Sequence, residues 1–389
     1  MSSIIAFFMA FLYSFYSFLG IPFDKPDLAY SALDEVTLTA EDKEILEAFS
    51  ETETAWIASL QLDNGALPMT YNANAELTVN PYFSCYTALA LLDNAELYAD
   101  NVKAYFDWHF AHLNTKQTDY AGVDGTIYDY KITVADGKVV SEAMSSRKYD
   151  SSDAYAGVFL TALCKYYNVT GDAEYIIAHA NEIARVVNAM TATMNNGLAY
   201  ACPDYKVKYL MDNSEVYEGA VAATELFELI CSATGKYGSN LEFCKDTVET
   251  VGDAIERKLW NYFQNRYKVA LNTSGAEVFD FKWSNFYPCA TAQLFTISCG
   301  VIPAESERAK HLYNMFCENF DWQHLKFNSD FCWGSIVIAA AKMNDASSVI
   351  EYVKSYNAHE KFGNHFYPLY NADAARAVIG VNIILEKAA

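Results

Sequence analysis

The stretch YDSSDAYAGVFLTAL, residues 149–163, opens an apolar helix with an acid on its buried side. Ser151 or Ser152 supplies an N-cap, because a short hydroxyl accepts from a first-turn N–H that has no helical partner. Asp153 then falls in the first turn. Counting i+4, i+7 and i+11, it shares a face with Gly157, Leu160 and Cys164. The helix dipole favours an acid there, so capping accounts for Asp153 itself but not for its place on the apolar stripe. With Tyr155 and that face restricting water, the carboxyl would hold its proton to a higher pH and then donate it, which is acid catalysis. A second group of acids, Asp212, Glu215 and Glu218, follows in YLMDNSEVYEG. Asp212 and Glu215 have capping-box spacing, whereas Glu218 sits a turn further on beside Gly219, where a ligand can approach the helix closely. Asp124, in YAGVDGTIYDYK, belongs to a D-G turn in a predicted short hairpin, and Asp63, in LDNGALP, to a similar turn. Either could also grip a ligand hydroxyl. Trp283, Phe286 and Tyr287, then Trp333, then Tyr367 and Tyr370, recur just ahead of helical segments, offering flat faces with polar handles.

Composition narrows what such groups can serve. At 52% hydrophobic and 20% charged residues, the 389-residue chain is globular, with room for one large architecture or two domains. Only 8 Pro and 17 Gly leave few breakers, which favours helices. The 29 Tyr and 24 Phe exceed the needs of a core and point to a ring-lined cleft. A net charge of −22, with no Lys/Arg cluster, excludes nucleic acid as a partner and disfavours highly charged polyanions. Nine Cys in an odd count with no C-x-x-C, several on apolar helix faces, read as core thiols rather than a disulfide framework. His109 and His112 lie at i, i+3 among Phe106 and Phe110, so packing is expected of them, and no metal or cofactor. Residues 4–23, IIAFFMAFLYSFYSFLGIPF, carry no charge and are long enough to span a bilayer. They are read as a signal peptide or membrane anchor, although no basic start marks a signal. That leaves residues 26–389 as one domain, secreted or tethered outside the cytoplasm and monomeric.

What must position these residues is a succession of helices. Six segments pair an aromatic or acidic loop with a helix rich in Ala, Gly, Ser and Cys: 81–92, 149–163, 211–226, 284–295, 329–341 and 366–381. Between them run more charged amphipathic helices, near 42–61, 95–113, 173–194, 240–262, 304–320 and 345–356. In the first of these, LTAEDKEILEAF, Thr39 offers the cap and Glu41 and Asp42 the first-turn acids. Small-residue helices belong where backbones crowd, and amphipathic ones outside with one wet face. An inner ring of six inside an outer ring of six meets both demands, and a loose repeat of this kind marks a closed or stacked array. The longer connections at 115–148 and 197–213 fall just ahead of inner helices, on the rim where a site would be built.

This alternation resembles the six-hairpin, or (α/α)6 barrel, glycosidases over residues 40–389. The run WIASLQLDNGALPMTY (56–71) is similar to the loop after their first helix, and YDSSDAYAGVFL to the start of a central helix that carries an acid at the barrel mouth. The resemblance implies an all-α barrel with an acid- and aromatic-lined cleft, hydrolysing a glycosidic bond in a poly- or oligosaccharide with inversion. Two carboxyls would then be needed, one donating a proton and one acting on water. Asp153 is assigned as the acid and Glu218 or Asp212 as the base. Asp63, Asp124, Tyr155, Glu215, Trp283, Tyr287, Trp333 and Tyr367 are assigned to substrate binding. A polysaccharide lyase, an unsaturated uronide hydrolase with Arg147 and Lys148 near its acid, or a silent glycan-binding barrel would share the same frame.

Overall fold

The helix expected from LTAEDKEILEAF forms over Ala40–Ser59 (α1), and the Thr39 hydroxyl caps it by accepting from the Asp42 N–H. The computed structural model describes residues 28–389. Next in the chain come α2 (Pro81–Leu91), α3 (Ala95–Ala111), α4 (Ser152–Thr170), α5 (Ala173–Ala178) and α6 (Ala180–Thr191). They are followed by α7 (Leu210–Thr234), α8 (Gly238–Ala254), α9 (Thr291–Ser298) and α10 (Glu307–Asn319). The series ends with α11 (Ser335–Lys342), α12 (Ala346–Ala358) and α13 (Asn371–Lys387). The outer helix expected over 173–194 is thus two helices, divided at His179.

The small-residue helices touch one another in a cycle. α2 meets α4, α4 meets α7, α7 meets α9, α9 meets α11, α11 meets α13, and α13 returns to α2. The charged helices lie outside it, with α8 on α7, α10 on α9, α12 on α11 and α1 on both α13 and α2. Two inner helices are buried along unbroken runs, Ile336–Ala341 of α11 and Ser84–Leu91 of α2, whereas α7 keeps one wet face at Val221, Glu225 and Glu228. The closest approach joins α4 to α7. A Cβ on Gly219 would lie 2.5 Å from the Gly157 Cα, and one on Gly157 would lie 2.6 Å from the Glu215 carbonyl oxygen. The open space at Gly219, expected to admit a ligand, is therefore filled by the neighbouring helix.

Strands interrupt the all-α expectation. β1 (Ala75–Val79), β2 (Tyr130–Ala135) and β3 (Lys138–Met144) form an antiparallel sheet in that order, and Leu77 pairs with Ile132. The hairpin turn is Asp136–Gly137, both residues at positive φ, which suits a two-residue turn between twisted strands. It comes later than the hairpin predicted at 120–131. That segment instead closes a loop on Asn114, which accepts from the Gly125 N–H and donates to the Thr126 carbonyl.

Residues 28–36 run as a strap across the outer surface. The Ser31 N–H donates to the Glu305 carbonyl, Lys310 donates to the Ser31 and Ala32 carbonyls, Asn344 donates to the Asp34 carbonyl, and Val36 is buried. The candidate signal or anchor at 4–23 lies outside the described residues. Among the described residues no helix is long and apolar enough to cross a membrane.

Candidate active site

Residues at or just before the starts of all six inner helices line one cavity of about 660 Å³. Tyr82 and Phe83 come from α2, Asp150, Ser151 and Tyr155 from the start of α4, and Asp212 and Glu215 from α7. Asn285 and Tyr287 precede α9, Phe331 and Trp333 precede α11, and Tyr370, Asp373 and Arg376 come with α13.

The acids at α4 and α7 meet over one hydroxyl. Ser151 caps α4, as its position predicts, accepting from the Ala154 N–H at 3.2 Å. Its Oγ lies 2.5 Å from Asp153 Oδ1 and 3.5 Å from Asp212 Oδ2. Asp153 has zero exposure and does not line the cavity, and its Oδ2 has no hydrogen-bond partner. Burial, and then the charge of Asp212, hold its pKa well above the usual carboxyl range. Asp212 does line the cavity, and burial with the charge of Asp150 pushes it up to about 7. α7 starts at Leu210 without a side-chain cap, so Asp212 and Glu215 are not a capping box. Asp212 is left facing the cavity.

Glu215 accepts from the Tyr82 hydroxyl at 2.5 Å and the Tyr86 hydroxyl at 2.8 Å. Burial nevertheless pushes it up to about 8, helped by Asp212. Across the ring, burial lifts Asp373 to about 6 against the pull of Arg376. Tyr155 is fixed from behind: its hydroxyl accepts from Asn80, the α2 cap, at 2.7 Å and lies 3.2 Å from Asp129. Its ring stacks on Tyr82 with centroids 5.8 Å apart. Tyr287, 54% exposed, lies 5.1 Å from Trp333, whose indole N–H donates to Ser329. Of the rings predicted ahead of the inner helices, Phe286, Tyr287, Trp333 and Tyr370 line the cavity.

Other predicted site residues lie elsewhere. Glu218 lines a second cavity, of about 320 Å³, with Lys342 and Cys299 further along the inner helices. Asp63 accepts from the Val139 N–H and pairs with Lys138, so it anchors the β2–β3 hairpin. Asp124 is ion-paired to Arg185 of α6 at 2.9 Å. Trp283 stands edge-on to Phe281, 5.2 Å away and outside the cavity lining, and Tyr367 is 67% exposed, edge-on to Tyr370. The loop 56–71 is held by Gln61, whose amide donates to the Gly65 and Asn101 carbonyls. Its Gln and Gly therefore fix the loop to α3. His109 stacks on Phe159 at 3.7 Å, and among the described residues no His, Cys, Asp and Glu group is arranged to hold a metal ion.

Asp150, Asp373 and Arg376 were not singled out by the sequence. One signal was present: Asp373 occupies the first turn of α13 in NADAARAV, as Asp153 and Asp212 do in α4 and α7.

No family model matches the chain, and no curated protein does. Solved structures do resemble it. A wild-type glycosidase superposes with a TM-score of 0.59 at 12% identity, covering 90% of this chain and 99% of its own. A glycosidase variant in complex with glucose gives 0.61 at 13%, with the same coverage. The GH63 mannosylglycerate hydrolase from Thermus thermophilus, in complex with glucose, gives 0.56 at 8%, covering 86% of this chain and 99% of its own. The chain thus has a helix-rich fold that these glycosidases share.

Proposed function

We propose that the chain is a glycoside hydrolase built as an (α/α)6 barrel, cleaving a poly- or oligosaccharide with inversion in the cavity at the inner-helix starts. The observation that carries this is a pair of carboxyls, Asp212 and Asp373, lining one ring-walled cavity from inner helices on opposite sides of the cycle. α7 and α13 lie three places apart in the cycle of six, so Asp212 and Asp373 stand across the cavity from each other. Asp212, protonated up to about pH 7, donates to the leaving oxygen. Asp373, ionised above about pH 6 beside the Arg376 guanidinium, takes the proton from the attacking water. Inversion needs room for that water, about 6.5–9.5 Å between carboxyls, and opposite walls supply it better than neighbours on one helix. The buried Asp153 is assigned behind Asp212 as a positioning group, and Glu218 no longer serves as the base. Tyr155, Tyr287 and Trp333 are assigned to stack the sugar rings. Glucose in two of the structural neighbours is consistent with a sugar ligand in this fold.

The test is a glycan panel read by reducing-end release and by NMR of the first-formed anomer. Asp212→Asn is expected to lose on the order of 10³-fold or more in turnover, with the fold kept. Near-normal turnover in that variant ends the assignment of the acid, and a retained anomer ends inversion.

A further inference from the structure

Arg376 is the one cation among the described residues lining the cavity, where the charged neighbours are Asp150, Asp212, Glu215 and Asp373. It is 9% exposed, and its guanidinium carbon lies over the Tyr86 ring, 3.8 Å from the centroid, with Tyr82 at 5.2 Å. It makes no hydrogen bond to a described residue, and its buried Nε is without a partner. The other deeply buried arginines are treated differently. Arg266 is bound to Glu277 and Arg308 to Glu256, each through both terminal nitrogens. Near Arg376 the acids are otherwise engaged: Glu215 spends Oε1 on Tyr82 and Tyr86, and both it and Asp373 act on the guanidinium through charge without a hydrogen bond. Its terminal nitrogens are neither bonded to a described residue nor sealed off, so an incoming acceptor can meet them, and an unmet charged donor at so buried a site favours one. Arg376 lines the second cavity as well, so it stands at the inner end of the first, where a ligand would end.

We propose that Arg376 receives a carboxylate of the substrate, so that the glycoside cleaved here is a monoacidic one, carrying a uronic acid or a sugar acid at the inner end of the cleft. This rests on the hydrolase reading above and narrows its substrate. A planar guanidinium with parallel N–H groups matches a carboxylate two-to-two, which a neutral hydroxyl cannot do. The restriction to one carboxylate follows from the chain's charge of −22, which repels a polyanion but is overcome locally by a buried cation. Burial keeps Glu215, the nearest competitor on α7, protonated up to about pH 8, so it does not cancel the guanidinium charge at neutral pH.

Calorimetry on the full chain at pH 7 would compare glucuronate, galacturonate and gluconate with glucose, galactose and glucuronamide. At least one acid is expected to bind tenfold or more tightly than its neutral counterpart, with uronates and gluconate separating the two sources of the carboxylate. Arg376→Gln is expected to abolish that preference, and Arg376→Lys, which keeps the charge without the fork, to reduce it. Neutral sugars binding as tightly as the acids would overturn the carboxylate inference and leave the glycan cleft standing. Binding of neither kind would overturn both. Should the Gln variant fail to fold, a preference unchanged in Arg376→Lys would overturn the inference.

Discussion

Asp212 owes its raised pKa to burial first and to the Asp150 charge second, and Asp150 can be altered without touching either assigned catalytic acid. With Asp373 titrating near 6 and Asp212 near 7, kcat/KM is expected to follow a narrow bell between those limits. Asp150→Asn removes a like charge, so Asp212 ionises more easily and the alkaline limb moves to lower pH; a limb that stays put would show that Asp212 does not govern it. Glu215 yields a second test, on stability. Its folded pKa of about 8 exceeds the usual 4.5, so its contribution is complete below about pH 4.5 and is lost as pH rises through 8. Glu215→Gln keeps an oxygen for Tyr82 and Tyr86 but cannot ionise. Its Tm should gain on the wild type between pH 5 and 8.5, from a slope of about 1.4 kcal/mol per pH unit at most. A constant difference in Tm across that range would contradict the raised pKa. Asp212 and Glu215 were both legible as candidates. The spacing put Asp153 on the buried stripe, but it could not reveal that the side chain sits wholly behind the cavity wall.

Between elements, the contact of α4 with α7 decides how those residues stand, because Ser151 and Asp153 ride on one and Asp212 and Glu215 on the other. Gly219→Ala inserts a methyl where the Gly157 Cα already lies 2.5 Å from the added carbon. It should cost about 1–3 kcal/mol and lower turnover by displacing Asp212 from Ser151. Gly238→Ala, at the start of α8 with nothing within 4 Å, is the control and should change little. Equal effects of the two on denaturant midpoint would refute the close crossing. Both sets of six helical segments were legible, since composition separates crowded helices from amphipathic ones. Gly219 shows the limit of such reading: a small residue signals close approach without saying whether a ligand or a neighbouring helix approaches. The hairpin is ambiguous in sequence for a similar reason: Asp124-Gly125 and Asp136-Gly137 are the same dipeptide, and only pairing with β1 selects the second. Arg376 gave no sequence signal at all, because one basic residue on an Ala-rich helix resembles a solvated edge.

At the scale of the molecule, the strap over residues 28–36 sets how far the N-terminus can be trimmed. The proposed export or tethering role belongs to residues 4–23, which lie outside the described residues. Deleting residues 1–23 is expected to leave cooperative unfolding with little change in Tm. Deleting through Val36 removes the bonds to Glu305, Lys310 and Asn344 and a buried apolar side chain, and should lower Tm clearly. A large drop from the shorter deletion would mean that the leading segment packs on the fold.

The closed cycle also bears on how the chain is made. A ribosome releases α13 after every other described helix, yet α13 supplies contacts to α1, α2 and α11. Until residues 371–387 emerge, the nascent chain carries two exposed apolar flanks, on α2 and on α11, that have only each other's missing neighbour to wait for. The arc held open during synthesis exposes apolar flanks of an incomplete fold and so carries an aggregation risk. A premature stop just before Asn371 would remove the closure of the whole circle along with that single helix.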